Sequence, residues 1–294
     1  MRRIFVILIC LAELESLQSE ESRVVVITGA SRNVGLATAE YLAEKGFSVY
    51  GTIRPSKTPP ATEKTNLHFL PVDLMDENAI HQAMQTILTT EGHIDVLINN
   101  AAYAIAGPIE SLSKDEIQEQ MEVNFFAPIR FIQAVLPSMR ECKAGHIINI
   151  SSTNAVNTCP FGSIYAASKS ALESFSESLC IEVLPHNIKV SIVEPGLLST
   201  NFSIRMGTRE ITNNPYQNII EAMKTAFAER SAHPELLSPS QTSQEIALFL
   251  LEVLQDPNPK LRYQTSEEAK RDVSRKLLDL TGELYLNQIL EQGQ

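Results

Sequence analysis

The stretch Arg23-Val-Val-Val-Ile-Thr-Gly-Ala30 limits what this chain can fold into more than any other. Val24–Ile27 is β-branched throughout, with no polar residue interrupting it. Such a run reads as a short strand buried on both faces rather than one half in water. It breaks at Gly29. Ser31-Arg-Asn-Val-Gly35 follows, and residues 36–45 have helical character, closed by Gly46. Strand, glycine-containing turn and helix, in that order, set backbone N–H groups and a helix N-terminus where a pyrophosphate can be held. Gly29 permits the tight turn and Gly35 a close helix approach. The spacing, Thr-Gly-x-x-x-Asn-x-Gly, is wider than the Gly-x-Gly-x-x-Gly of other nucleotide folds.

The alternation continues down the chain. Residues 47–53 predict a second strand, 68–72 a third ending at Asp73, 94–98 a fourth, 146–151 a fifth and 188–193 a sixth ended by Pro195-Gly196. Helical text fills 77–91, 114–140 (broken or kinked near Pro128), 163–184 and 243–254, before a short last strand at 261–264. Strands separated by helices imply right-handed crossovers and a parallel sheet. No internal repeat or interdomain linker is evident, and 294 residues suffice for one large α/β domain.

The helix expected at 163–184 carries Tyr165 and Lys169, one turn apart on a shared face. A free phenol, with a pKa near ~10, is a poor acid–base catalyst at neutral pH. A fixed positive charge beside it favours phenolate and pulls that pKa toward the working range. Moving a proton to or from an alcohol oxygen needs such a pair, although Tyr-x-x-x-Lys alone also describes a buried tyrosine and a solvated lysine. Ser152 lies upstream, ending the run His146-Ile-Ile-Asn-Ile-Ser-Ser152. Side chains alternate along a strand, so only one of Ser151 and Ser152 can face a site at its end.

The second strand ends Gly51-Thr-Ile-Arg54, without the acid that binds ribose hydroxyls in NAD-preferring folds. Arg54 and Arg32 carry guanidinium groups suited to a 2′-phosphate. Either arginine alone reads as a solvated surface charge. Both together, with the acid missing, favour NADP(H) over NAD(H).

Thr28-Gly29 with Gly35, Asp73, Asn99-Asn-Ala-Ala102, Asn124, Ser152, Tyr165 with Lys169, and Pro195-Gly196 with Thr200 come in the order of a known family. On these residues the chain resembles the short-chain dehydrogenase/reductases of the compact, single-domain type, over roughly residues 23–266. Glu122-Val-Asn-Phe-Phe126 and Ser176-Glu-Ser-Leu179 are similar to text in its 17β-hydroxysteroid and retinol dehydrogenase branch. The resemblance implies a doubly wound, Rossmann-type α/β fold of about seven parallel strands, ordered 3-2-1-4-5-6-7, with helices on both faces. It implies an NADP(H)-dependent oxidoreductase that interconverts a secondary alcohol and a ketone, or an alcohol and an aldehyde. Tyr165 would be the general acid/base, Lys169 would stabilise the phenolate and bind the cofactor ribose, Ser152 would orient the substrate, and Asn124 would sustain a hydrogen-bond relay to Lys169 through water. Gly29, Ser31, Arg32, Asn33, Val34, Gly35 and Arg54 would hold the cofactor phosphates, Asp73 the adenine and Asn99 the adenosine side. Pro195, Gly196 and Thr200 would hold the nicotinamide.

Each role has a plainer reading beside it. Asp73 suits a turn cap, Asn99 a bridge between loop backbones, Thr200 a helix N-cap, and Asn124 a kink satisfied by a side chain. Two departures from the family stand out. Asn33 replaces its middle glycine, and asparagine tolerates left-handed backbone better than most residues. Ala102 puts a methyl where the family often has none. Both are expected to be tolerated with some shift in cofactor affinity.

Residues 200–240 form an expected substrate lid containing Phe202, Ile204, Met206, Tyr216, Ile219, Ile220, Met223 and Phe227. An apolar lid suits a steroid-like, retinoid-like or fatty substrate; the alternative is ordinary core on two amphipathic helices. Residues 267–294 are expected to form a C-terminal helical tail. The helical stretches 114–140 and 163–184 form paired interfaces in the family, which implies a homodimer or homotetramer. Two other functions fit the sequence less well. A scaffold or nucleotide-sensing protein without chemistry has little need of Ser152 and Tyr165, and a sugar-nucleotide epimerase or dehydratase would use a tighter glycine spacing.

The charge is −11, from 24 Lys+Arg against 35 Asp+Glu, which argues against nonspecific nucleic-acid binding. Cys10, Cys142, Cys159 and Cys180 show no metal-type pairing and read as buried apolar filler. The six histidines are scattered, so no metal site is expected. Residues 1–22 are a separate extension. Met1-Arg-Arg-Ile-Phe-Val-Ile-Leu-Ile-Cys-Leu-Ala12 has a basic start and a short apolar stretch, too short for a clear membrane span. Because free NADP(H) is kept inside cells, peripheral membrane association through residues 1–12 of a cytoplasmic or cytoplasm-facing enzyme is expected. A secretory signal and a misassigned start codon are the alternatives.

Overall fold

A computed structural model describes residues 22–222, 225 and 240–278. Residues 1–21 of the expected extension, Met223 and Phe227 of the expected lid, and 279–294 of the expected tail lie outside the described residues. Seven parallel strands make the main sheet: β1 (Val24–Ile27), β2 (Ser48–Ile53), β3 (Leu67–Pro71), β4 (Val96–Asn99), β6 (Gly145–Ile150), β7 (Ile188–Glu194) and β9 (Arg262–Gln264). Their order is β3-β2-β1-β4-β6-β7-β9. Counted along this sheet alone, that is the expected 3-2-1-4-5-6-7. The reversal point lies between β1 and β4, which pair through Val25 and Val96, Val26 and Leu97, and Ile27 and Ile98.

The uninterrupted β-branched run is explained by the two faces of this sheet. Val24 and Val26 pack with Ile80 and Met84 of α2 (Glu77–Glu91), Phe131 and Val135 of α4 (Ala127–Cys142), and Leu179 of α5 (Ser163–Val183). Val25 and Ile27 turn the other way, onto Ala39 and Leu42 of α1 (Asn33–Glu44) and Ile246 and Leu250 of α6 (Ser243–Gln255). Every side chain of β1 is therefore in core, on one side or the other. Each such burial contributes about 1.5–3 kcal/mol before conformational entropy is counted.

Helix starts show which ends are meant to be closed. Asp76 caps α2 by accepting from the Asn78 and Ala79 N–H groups. Ser113 with Glu116, and Thr242 with Glu245, make reciprocal capping boxes on α3 (Lys114–Met121) and α6. The helical text expected at 114–140 is interrupted ahead of Pro128. A π-helical turn, Glu122–Phe126, separates α3 from α4 and buries Asn124. A short helix, α7 (Glu267–Leu278), follows β9.

Two features differ from the expectations above. First, β5 (Ala104–Ala106) and β8 (Ile204–Met206) form a small parallel pair beside the main sheet. All of β8 is exposed, so its pairing rests on backbone hydrogen bonds rather than apolar periodicity. Second, Cys142 and Cys159 are exposed rather than filling core, because one ends a helix and the other lies in a surface loop; Cys180 packs partly against the core. Among the described residues no helix is long and apolar enough to cross a membrane.

Candidate active site

At the C-terminal ends of β1, β2, β4, β6 and β7 lies a cavity of about 710 Å³. Gly29, Ser31, Arg32, Asn33, Val34 and Gly35 line one end of it. Here the start of α1 is left open: its N-cap, Arg32, makes no side-chain capping bond. The first backbone N–H groups of a helix have no partner within it, and they carry the positive end of its dipole. The turn is also kept bare. A Cβ on Gly29, whose φ is +73°, would stand 2.9 Å from Ala101 Cα, and one on Gly35 would stand 2.4 Å from the Gly29 carbonyl oxygen. Asn33 takes φ +53°, so the asparagine that replaces the family's glycine adopts the left-handed conformation itself. An uncapped helix, a glycine cradle and adjoining cations fit a dinucleotide's phosphates.

Those cations are Arg32, Arg54 and Lys57, all exposed and all on the cavity wall. Arg54 directly follows the last residue of β2, and no carboxylate stands there. Lys57 was missed by the sequence reading. It lies in a Pro/Thr-rich loop with no periodicity, and only the fold of that loop, with the Lys57 N–H bonded to the Arg54 carbonyl at 2.9 Å, brings it back to the strand end.

Ser152, Tyr165 and Lys169 meet in the same cavity, with Pro195, Gly196 and Thr200. Both Ser151 and Ser152 line the cavity, and their hydrogen-bond partners separate them. Ser151 turns inward and donates to Glu173 at 2.5 Å, while Ser152 reaches Tyr165. Lys169 is 3% exposed and donates to the Ile150 carbonyl at 2.7 Å, at the end of β6. Burial pushes Tyr165 up to about 12, with the Ser152 hydrogen bond pulling partly back. Burial likewise pushes Lys169 down to about 8, against the field of Glu173, which raises it. Desolvation is thus the largest cause for both side chains, and the expected pull of Lys169 on the phenol is not among the causes acting on Tyr165.

Three expected site residues do not line the cavity. Asn124 sits behind its wall, where Nδ2 donates to the Tyr103 carbonyl (3.0 Å) and to Ser168 (3.1 Å), and Oδ1 accepts from the Tyr103 N–H (3.2 Å). Among the described residues it makes no hydrogen bond to Lys169; it ties the start of the β5 segment to α5. Asn99 is buried and donates to Asn149 at 2.8 Å, because strand alternation turns it into the sheet's underside. Its neighbour Asn100 reaches the cavity instead, donating to the Thr28 carbonyl at 2.8 Å. Asp73 is exposed and accepts from the Met75 N–H at 3.0 Å, the turn-capping arrangement, while Val72 and Leu74 on either side face the cavity.

The other end of the cavity is apolar. Ile105, Pro160, Phe161, Leu197, Leu198, Phe202 and Ile204 line it. The Phe202 ring lies against Tyr165, and β8 holds that segment down: the Ala104 N–H donates to the Ser203 carbonyl (2.9 Å) and the Gly207 N–H to the Ala106 carbonyl (3.0 Å). Arg205 adds an ion pair to Glu119 at 2.8 Å and lies over the Tyr103 ring at 4.6 Å. Tyr216 bonds to Glu110.

Comparison with known proteins agrees with this geometry. The sequence profile described as short chain dehydrogenase matches residues 23–210. A 3-ketodihydrosphingosine reductase of Bacteroides thetaiotaomicron is 38% identical over 222 residues, covering 74% of this chain and 81% of its own. Human retinol dehydrogenase 8 is 32% identical over 285 residues, covering 90% of this chain and 88% of its own. Among solved structures, a metagenomic short-chain oxidoreductase in complex with NADP superposes with a TM-score of 0.64 at 28% identity, covering 84% of this chain and 98% of that one. With the profile spanning well over half its length, this chain belongs to the short-chain dehydrogenase family.

Proposed function

We propose that the chain is an NADP(H)-dependent oxidoreductase acting on a lipophilic carbonyl or secondary alcohol, with Tyr165 as the proton donor and acceptor. The observation that carries this reading is the convergence of Ser152, Tyr165 and Lys169 in one cavity with the open N-terminus of α1. A bound nicotinamide would supply or accept the hydride. Ser152 and Tyr165 would hold the substrate oxygen by hydrogen bonds, which fixes the carbonyl against rotation. The protonated phenol is the form that donates to a carbonyl oxygen, and burial favours that form. The ammonium of Lys169 would stabilise the phenolate that remains and would bind the cofactor ribose. Gly29 and the residues through Gly35 would hold the pyrophosphate.

The choice of NADP(H) rests on Arg32, Arg54 and Lys57 around a strand end with no acid. The structural relative bound to NADP supports it. Lipophilic substrate is supported by the apolar lining from Ile105 to Ile204 and by relatives named for a sphingoid ketone and for retinol. The test is Tyr165→Phe in an NADPH-coupled panel of ketones, aldehydes and alcohols. Turnover is expected to fall by about 10²-fold or more, with NADPH binding within a few-fold of the parent. Parent-like turnover by this variant overturns the assignment.

A further inference from the structure

Glu173 is 4% exposed, and none of the roles given above uses it. It follows Lys169 by one turn of α5. One carboxylate oxygen accepts from Ser151 at 2.5 Å, and the other accepts from Arg262 of β9 at 2.8 Å. Arg262 also reaches Glu194 at 3.0 Å and Glu177 at 2.7 Å, and Gln264 donates to Glu194. Two of these partners adjoin the site. Ser151 precedes Ser152, and Glu194 precedes Pro195-Gly196. One buried carboxylate therefore joins the helix of Lys169 to the strand end of Ser152, and one guanidinium joins both to the loop proposed to hold the nicotinamide.

We propose that Glu173 is a positioning residue: it holds Ser152 and Lys169 in register with each other and clamps them to the last strand through Arg262. The proposal rests on the roles assigned above to Ser152, Tyr165 and Lys169. Two buried carboxylates on one guanidinium are costly to desolvate, and stability alone would be served as well by apolar packing. The charged groups that face Glu173 are Lys169 and Glu177 on its own helix, Glu194 on β7 and Arg262 on β9. Among these Glu173 is the one whose field raises the buried Lys169 ammonium. Burial, with Glu173 beside it, pushes Glu194 up to about 7.

The experiment is kcat and kcat/KM against pH, from about pH 6 to about pH 10, for full-length parent, Glu173→Gln, Glu173→Asp and Ser151→Ala, with NADPH and a carbonyl that the parent reduces. In Glu173→Gln the alkaline limb is expected to move down by about one pH unit as the Lys169 ammonium loses its support. Glu173→Asp keeps the charge but shortens the reach, so its limb should stay in place while kcat falls. Ser151→Ala removes one arm of the clamp and no charge; kcat should drop several-fold with the limb unmoved. A parent-like limb and kcat in Glu173→Gln overturn the proposal. Should that variant fail to fold, as judged by its melting transition, an unchanged kcat in Ser151→Ala overturns it instead. Failure of the underlying reading looks different: Tyr165→Phe would then keep its turnover whatever the Glu173 variants do.

Discussion

The Phe202 ring meets the Tyr165 ring at an interplanar angle of 64°, with centroids 5.9 Å apart. An edge-to-face pair of this kind contributes about 0.5–1.5 kcal/mol beyond its buried area. It places an apolar ring of the covering segment directly against the proposed proton donor. Phe202→Ala should therefore raise KM for a lipophilic carbonyl by about 3- to 10-fold, while leaving KM for NADPH nearly unchanged. Steady-state kinetics with both substrates varied would show it, and equal changes in the two KM values would refute a substrate-side role.

Cofactor discrimination is expected to reside in the end of β2. Arg54→Asp replaces a cation with the acid that would suit ribose hydroxyls. A charge-assisted hydrogen bond contributes about 1.5–3 kcal/mol, so the preference for NADPH over NADH should fall by about 10- to 100-fold. The ratio of kcat/KM values for the two cofactors reads this directly. An unaltered ratio would remove the phosphate role of Arg54.

Gly35 is where helix, turn and Asn100 come closest. A Cβ there would stand 2.4 Å from the Gly29 carbonyl oxygen and 2.6 Å from Asn100 Nδ2. Backbone cannot yield as a flexible side chain can, so Gly35→Ala should cost about 1–3 kcal/mol of stability. It should also lose the rise in melting temperature that NADPH gives the parent. Thermal unfolding with and without NADPH tests both, and a parent-like shift would show that the close approach is dispensable.

His146 sits far from the cavity, buried at the other end of β6, with its Nε2 on Ser191 Oγ at 2.9 Å. Burial pushes it down to about 4 from 6.5, with Arg23 and Lys189 adding to the effect. Below pH ~6.5 the unfolded chain takes up a proton that the folded one refuses, so this residue makes stability fall as pH drops from about 6.5 to about 4. At His146→Gln that loss is absent. The parent's stability advantage over the variant should shrink by roughly 3 kcal/mol across that window. Denaturant melts at both ends of it measure the difference, and a pH-independent difference would show that His146 titrates normally.

Most of the sheet could be read from sequence, because the central strands β1 and β4 are apolar runs buried on both faces, while the outer β3 and β9 are only partly buried and were legible from the alternation of strands with helices. That the residues proposed to hold the phosphates share one cavity was legible too: Gly29, Asn33, Gly35 and Arg54 follow one another within a strand–turn–helix unit and its neighbour, so local chain geometry brings them together. For the two serines, alternation said only that they differ, and the family resemblance pointed to Ser152; the tertiary structure then bonds Ser151 to Glu173 and Ser152 to Tyr165.

What sequence could not supply depends on contacts between distant segments. The β5–β8 pair is three residues on each side, held by backbone bonds that carry no residue signature. Asn99 and Asn100 are neighbours, and the way the end of β4 turns puts Asn100 on the cavity wall and Asn99 against Asn149. The ionisation of Tyr165 and Lys169 follows from how dry the cavity wall is, and burial depends on everything packed around it; spacing along a helix fixes only that the two share a face. The carboxylates of Glu173 and Glu194, read singly, are ordinary charges on a helix and a strand, and only the arrival of Arg262 from the last strand makes them one cluster. Local chain geometry determined which pieces this protein has, and long-range packing decided how each of them is charged, covered and aimed.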